Sequence, residues 1–428
     1  MGMSSAAGHR GVDAQRRRLL GVLALAPWLR IAPLRAAASR ARVVVAGGGF
    51  AGAACALALR RIDPAIDVTL VDAADPYVTG PMSNAVIAGW RSIDSFSVSR
   101  AGLARAGIRL VHARASAIDA GQRRLRLELG DALPYDRLVV APGIRLLWNT
   151  PEGYDEAASE RMPHAWLPGA QTQRLAAQLR AIDDGGVVAI SVPFGLMRCP
   201  PGPFERASLI AEWLKRNRRR SKVLIFDSNN HFPKQDAFTA AWDELYPGMI
   251  EWFGATDGGA VGRVDPRTMT LQTARGAQRV AVANVIPRQA AGQLAFAAGL
   301  AQGRGWCEVA ATTFESAVLP NVHVIGDACA AGTMPKAGSA AHVQALQCAQ
   351  AVVASLHETA VPAPEFESVC YSFYARERAL SFHARFAVAD GRIRSAPMPS
   401  PTVAPSPREE AQLSEQWYRR ILADSFGA

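Results

Sequence analysis

Residues 42–72, "RVVVAGGGFAGAACALALRRIDPAIDVTLVD", constrain this chain more than any other stretch. A short β-branched run, Arg42–Ala46, reads as a buried strand. It meets Gly47-x-Gly49-x-x-Gly52 and an alanine-rich segment with helical character, and a second apolar run then ends on Asp72, twenty residues beyond Gly52. Glycines at this spacing let the backbone approach a pyrophosphate. The helix start supplies amide donors, and a carboxylate at the second strand end accepts from ribose hydroxyls. The expected cofactor-binding residues are therefore Gly47, Gly49, Gly52 and Asp72. The unit alone does not separate FAD from NAD. At 428 residues the chain has room for two or three domains.

Two later segments bear on the cofactor. "YDRLVVAPG" (135–143) ends on Gly143, and "VHVIGDACAAGTMPKAGSAAHVQALQCAQAVVASL" (322–356) begins as an apolar strand closing on Gly326-Asp327. The first resembles the strand and turn that return the chain to the nucleotide domain in flavoproteins built from two dinucleotide folds, and the second resembles their second FAD motif. The resemblance implies FAD, with Asp327 near the ribityl or phosphate region. A helix starting near Gly338 would direct its positive end at the flavin, with Lys336 beside it. The strand "VVAIS" in the middle of the chain is followed by "VPFGLMRCPPG", with no second glycine fingerprint. A doubly wound pattern without a nicotinamide cradle argues against NADH as electron source.

The turn that replaces that cradle carries a cysteine. In "GLMRCPPGPFERAS" (195–208), Cys199 lies between Arg198 and a Pro-Pro-Gly-Pro run, which reads as a stiff loop that fixes a thiol in place. Cys307, in "GRGWCEV", has a comparable setting. Cys55, Cys329, Cys348 and Cys370 read as packing residues. The chain contains no C-x-x-C, C-x-x-C-H or H-E-x-x-H, so no metal site and no haem attachment are expected. The net charge is +10, half of it within residues 1–38. "KRNRRRSK" (215–222) reads as the solvated end of a helix, and nucleic acid is not an expected partner. The segment "QRRRLLGVLALAPWLRIAPLRAAASR" has the layout of a twin-arginine signal peptide, with an apolar run too short to span a bilayer. A periplasmic protein starting near Ser39, with no transmembrane span, is expected.

The motifs "RCPPGPFERAS", "GWCEV", "TFES", "VIGDAC", "MPKAG" and "QWYRRILADSFG" resemble the flavoprotein subunits of flavocytochrome c sulfide dehydrogenases and, more distantly, sulfide:quinone oxidoreductases. The resemblance implies an α/β fold of two glutathione-reductase-like dinucleotide domains and a small α+β C-terminal domain. Expected boundaries are a leader at 1–38, a discontinuous FAD domain at 39–155 and 284–356, a central domain at 156–283 and a flavin-covering domain at 357–428. It further implies that Cys199 and Cys307 form a redox disulfide against the flavin. Hydrosulfide would open it to a persulfide and a thiolate that passes two electrons to FAD. Glu205 is the candidate base, with a structural ion pair to Arg206 as its alternative role. Electrons would leave to a separate c-type cytochrome subunit. The aromatics of the last segment (Tyr371, Phe373, Tyr374, Trp417, Tyr418) either face that partner or form a satellite core. No amphipathic C-terminal helix for reaching membrane quinone is expected. The position of the family's flavin-tethering cysteine is occupied by Gly80, which cannot form a thioether, so the FAD is expected to be non-covalent. Two rival readings use the same residues: a persulfide-handling flavoprotein serving a sulfur-carrier system, and a flavin-binding subunit without turnover.

Overall fold

A computed structural model of the chain describes residues 40–302, 305–398 and 404–427. The expected leader and the expected start near Ser39 lie outside the described residues. Two parallel sheets of dinucleotide-binding type and a C-terminal antiparallel sheet form the framework. In the first sheet the order is Val322–Val324, Arg137–Val140, Arg42–Ala46, Asp67–Val71 and Arg109–Val111, all parallel. Its central strand is an uninterrupted apolar run because both faces are covered, and Val43 and Val45 are wholly buried. Each such valine contributes about 1.5–2 kcal/mol of burial. The alanines of helix Phe50–Ile62 let it lie close on the sheet and against helix Gly338–Leu356.

The central sheet runs Ile250–Phe253, Lys222–Asp227, Val187–Val192 and Val282–Val285, again all parallel. Two small antiparallel sheets, 115–134 and 261–279, sit at connections between the main strands. The C-terminal sheet comprises Phe366–Ala375, Arg378–Ala389 and Arg392–Ala396.

A helix, Pro407–Phe426, lies at the end of the described chain, and its amphipathic pattern serves packing against the protein. Ser406 caps it through a reciprocal bond pair with Glu409, and its apolar face is packed inward through Ala411, Tyr418, Ile421 and Phe426. The capping pair is plain in "SPREE", but the intervening polar residues dilute the apolar stripe. No helix among the described residues is long and apolar enough to cross a membrane.

Candidate functional site

The first strand of each parallel sheet ends in a turn leading into a helix, and the site is built from these two turns and the segment 326–339. At the first turn, Gly47 has φ +108°, and a Cβ there would lie 2.2 Å from the Ala141 carbonyl oxygen. A Cβ on Gly52 would lie 1.8 Å from the Gly47 carbonyl oxygen. Only glycine allows this approach of helix to strand. Helix Phe50–Ile62 starts at Gly49 without a side-chain cap, leaving its first amides free to meet an anion.

Asp72 stands at the end of the second strand, as expected. Its carboxylate accepts from the amides of Gly48 (2.6 Å) and Ala74 (2.8 Å) and pairs with Arg100 at 3.4 Å. Arg100 is 1% exposed and also donates to the carbonyls of Gly48 and Ala74. No motif flags Arg100, since it reaches the turn from 52 residues away.

At the opposite end of the cradle, Gly326 takes φ +74° and its amide donates to Gln344 Oε1. Asp327 accepts from Arg198 Nε at 2.6 Å. Gly143, at φ +64°, lies beside the same guanidinium: a Cβ there would be 3.1 Å from Arg198 Nη2. Tyr77 bridges the two ends. Its hydroxyl borders Gly49, its ring stacks on Phe426, and it feels the charges of Asp72, Arg100, Asp327 and Arg198. Helix Gly338–Leu356 also begins without a side-chain cap. Two uncapped helix starts, two glycine approaches and paired Asp–Arg groups at either end fit a dinucleotide with a flavin toward Asp327.

The second turn is different. Strand Val187–Val192 leads into Pro193–Pro201, and a helix begins at Gly202 and runs to Asn217. The stiff loop therefore ends earlier than its prolines suggest, because Pro203 falls in the first turn of the helix, where its missing N–H costs nothing. Cys199 holds φ +51°, its amide donates to the Lys336 carbonyl at 2.8 Å, and its carbonyl accepts from Gly202 N. The thiol rests over the helix start, where a Cβ on Gly202 would come within 3.1 Å of Sγ. Cys199 is exposed but walled by protein on its other sides. That desolvation pushes the thiol up; Glu205 and Cys370 push it further, while Arg206 opposes them.

Glu205 thus lies inside a helix rather than on a loop, and it is buried. Among the described ion pairs it has none with Arg206. Instead Asn84 stands between the two, donating through Nδ2 to Glu205 at 2.9 Å and accepting at Oδ1 from Arg206 Nε at 3.0 Å. Phe373 N is the second donor to Glu205, at 3.1 Å. Burial raises this carboxyl to about 7 against those donors. Arg206 spends its remaining donors on the carbonyls of His164 and Ala165 and on Asn284 Oδ1, with its guanidinium 5.0 Å over Trp166.

Cys307 is wholly buried on a short hairpin and forms a single parallel bridge with Cys329. Burial pushes each of these two thiols up to about 12, opposed by the Lys336 ammonium. Lys336 donates to the carbonyls of Asp327 (2.8 Å) and Cys329 (2.9 Å) and sits 3.7 Å from the Trp306 ring centre. All six cysteines are free thiols in the structure. Cys199 has Cys370 within electrostatic reach, and Cys307 has Cys329. Cys370, half-buried rather than a simple core residue, contacts Ser339 Oγ at 2.9 Å at the start of helix Gly338–Leu356. Sequence spacing carried no sign of this, since 171 positions separate Cys199 from Cys370. Cys55 and Cys348 are core residues facing one another, as packing predicts.

The C-terminal aromatics divide between packing and the cradle. Tyr418 hydroxyl meets Thr79 at 2.6 Å, Phe373 packs edge-on to Trp90, and Phe426 reaches Tyr77 and Phe50 beside Gly49. A Cβ on Gly80 would have no neighbour within 4 Å.

Three family models match the chain: pyridine nucleotide-disulphide oxidoreductase over residues 41–163, the central region of the sulfide dehydrogenase [flavocytochrome c] flavoprotein chain over 172–287, and the flavocytochrome c sulphide dehydrogenase flavin-binding region over 362–426. A sulfide dehydrogenase [flavocytochrome c] flavoprotein chain from Chlorobaculum thiosulfatiphilum is 60% identical over 45 residues, 10% of this chain and 94% of that sequence. The sulfide-quinone reductase of Aquifex aeolicus is 30% identical over 184 residues, which span 42% of this chain and 41% of the reductase. The solved structure of the sulfide:quinone oxidoreductase from Aquifex aeolicus shares the fold, with a TM-score of 0.72 at 19% identity over 90% of this chain and 92% of that one. The chain belongs to the family of flavin-binding oxidoreductases that includes sulfide-quinone reductases and the flavoprotein chains of flavocytochrome c sulfide dehydrogenases.

Proposed function

We propose that this protein is a periplasmic, FAD-dependent sulfide oxidoreductase that passes electrons to a separate c-type cytochrome. The observation that carries the reading is the position of Cys199: a thiol fixed on a turn whose flanking residues bond directly to the Asp327–Lys336 segment. Bound there, FAD would supply a two-electron acceptor. Gly47, Gly49, Gly52 and Asp72 would hold its pyrophosphate and ribose, and Gly143, Gly326, Asp327 and Lys336 would hold its flavin end.

Cys199 would act as one sulfur of a disulfide. Hydrosulfide forms a new S–S bond to one cysteine as the old S–S bond breaks, leaving a persulfide and a thiolate. Two thiols qualify as the partner. Cys370 is supported by its electrostatic influence on Cys199 and its place at a helix start, where it shares a hydrogen bond with Ser339. Cys307 is supported by the link both residues have to Lys336. Cys370 is the better supported, because it is the thiol that Cys199 itself feels. Peptide mapping of the oxidised protein without reductant distinguishes the two: a 199–370 linkage is expected, and a 199–307 linkage would reassign the pair.

The first test is the anaerobic visible spectrum before and after sulfide. Bleaching of the flavin bands, with a long-wavelength thiolate charge-transfer band in the two-electron-reduced protein, supports the reading. A flavin spectrum indifferent to sulfide defeats it. Acid precipitation should release all the flavin, since Gly80 offers no sulfur to retain it.

A further inference from the structure

A cavity of about 170 Å³ is lined by Glu205 together with Met82, Trp90, Leu209, Phe373, Arg376 and Glu415, and Cys199 is not part of its wall. It continues into a second hollow of about 220 Å³ that shares Phe373, Arg376 and Glu415 and opens toward Glu377 and Arg408. A hollow of this size has room for several waters. Its wall is suited to them: the buried Trp90 Nε1 has no protein acceptor, and its rim carries the Arg91–Glu415 pair at 2.6 Å.

From this arrangement, and resting on the sulfide-oxidising reading above, we propose that the cavity is the proton outlet of the thiol site and that Glu205 is its inner carboxylate. Among the described residues, the groups that hydrogen-bond to Glu205 are N–H donors and offer its proton no acceptor. Arg206, on its own helix, has only donors and is fixed by four partners. Asn84 and Phe373 N, from the two neighbouring elements, are the donors to Glu205. The titratable groups facing it on the inner side are Cys199 and Cys370. On the outer side are the charges of Arg91, Arg376 and Glu415.

The proton balance requires such a route. Each hydrogen sulfide taken to zero-valent sulfur gives up two electrons and two protons. The two electrons and one of the protons go to the flavin that the reading supplies, and one proton is left to leave the site. That remaining proton passes from the incoming sulfur to the Glu205 carboxylate, which becomes neutral and then gives it up to cavity water. A carboxyl raised to about 7 by burial exchanges protons readily near neutrality.

The test follows Glu205 directly. Protons are released by light from a caged acid, and the carboxyl C=O infrared band is tracked, assigned by its loss in Glu205→Gln. Leu209→Trp fills the cavity, and Arg376→Trp, on the exposed rim, blocks it without a core substitution. Each is expected to slow re-equilibration of the Glu205 band by about tenfold or more, beyond the slowing that any rise in its midpoint accounts for. Equal rates in wild type and both flavin-replete variants overturn the outlet. So does a rise in the sulfide concentration needed for half-maximal flavin bleaching with unchanged infrared kinetics, which would make the cavity a sulfide inlet. The measurement needs no sulfide turnover. Wild-type flavin that sulfide fails to bleach therefore defeats the functional reading, and the infrared rates still decide the outlet.

Discussion

The same topological position is used twice in this molecule, with opposite chemistry. After strand Arg42–Ala46 the chain makes a turn of glycines, and backbone amides do the binding. After strand Val187–Val192 it makes a turn of prolines that ends in helix Gly202–Asn217 and presents side chains instead: Cys199 on the turn, Glu205 and Arg206 in the helix. One turn works by what it lacks, since any Cβ on Gly52 would collide with the Gly47 carbonyl. The other works by what it fixes, a thiol in a backbone conformation that non-glycine residues rarely take. A dinucleotide fold can thus keep its strand and helix while exchanging a glycine turn for one that fixes a thiol.

The most severe way to break this contrast is to put a side chain on the first turn. Gly52→Val should lose flavin entirely and cost about 3 kcal/mol or more of stability, from overpacking against backbone that cannot move. Denaturation midpoints and flavin-to-protein absorbance ratios check this. The matching change on the second turn should spare the cofactor. Cys199→Ser is expected to retain full flavin content while sulfide-dependent bleaching slows by about a thousandfold or more. Bleaching at the wild-type rate would remove the thiol from the reaction.

Glu205→Gln sharpens the comparison through pH. Burial raises the folded-state pKa of Glu205 to about 7 from an ordinary 4.5, so the folded protein holds this proton more tightly than the unfolded chain does. Stability from this group is therefore fully present below about pH 4.5 and is lost as pH rises toward 7. The variant, having no such loss, should gain up to about 3 kcal/mol relative to wild type between pH 4.5 and 8 in denaturant titrations. A gap between the two proteins that stays constant with pH would show that the carboxyl titrates normally. The smallest effect is expected at Gly80: Gly80→Cys has open space for its side chain and should leave stability within about 0.5 kcal/mol of wild type. If residue 80 faces the flavin, as the resemblance implies, this variant should also gain acid-stable flavin.

Much of this was legible in the sequence, for identifiable reasons. Gly47, Gly49, Gly52, Gly326 and the strands around them are local features, in which neighbouring residues determine the backbone they adopt. The missing fingerprint after "VVAIS" was equally plain. What could not be read are contacts that only the assembled fold creates. Arg100 reaches Gly48 across 52 positions, Asn84 reaches Glu205 across 121, and Cys370 comes within electrostatic reach of Cys199 from the C-terminal sheet. Each comes from a segment whose own composition is ordinary. Glu205 was found but placed on a loop, because a run of prolines hides the start of a helix that tolerates proline in its first turn.

Arg198 and Lys336 tie the thiol turn to the segment that would cradle the flavin, through the Arg198–Asp327 pair and the bond from Cys199 N to the Lys336 carbonyl. Two binding events that share one set of bonds are thermodynamically linked, and linkage is reciprocal. If the oxidation state of the Cys199 sulfur shifts that turn, it must shift flavin affinity by the same factor with which flavin shifts the reduction potential of the sulfur. The clasp between the two domains is then also a gauge, and a plain flavin titration of the reduced and oxidised protein would read it.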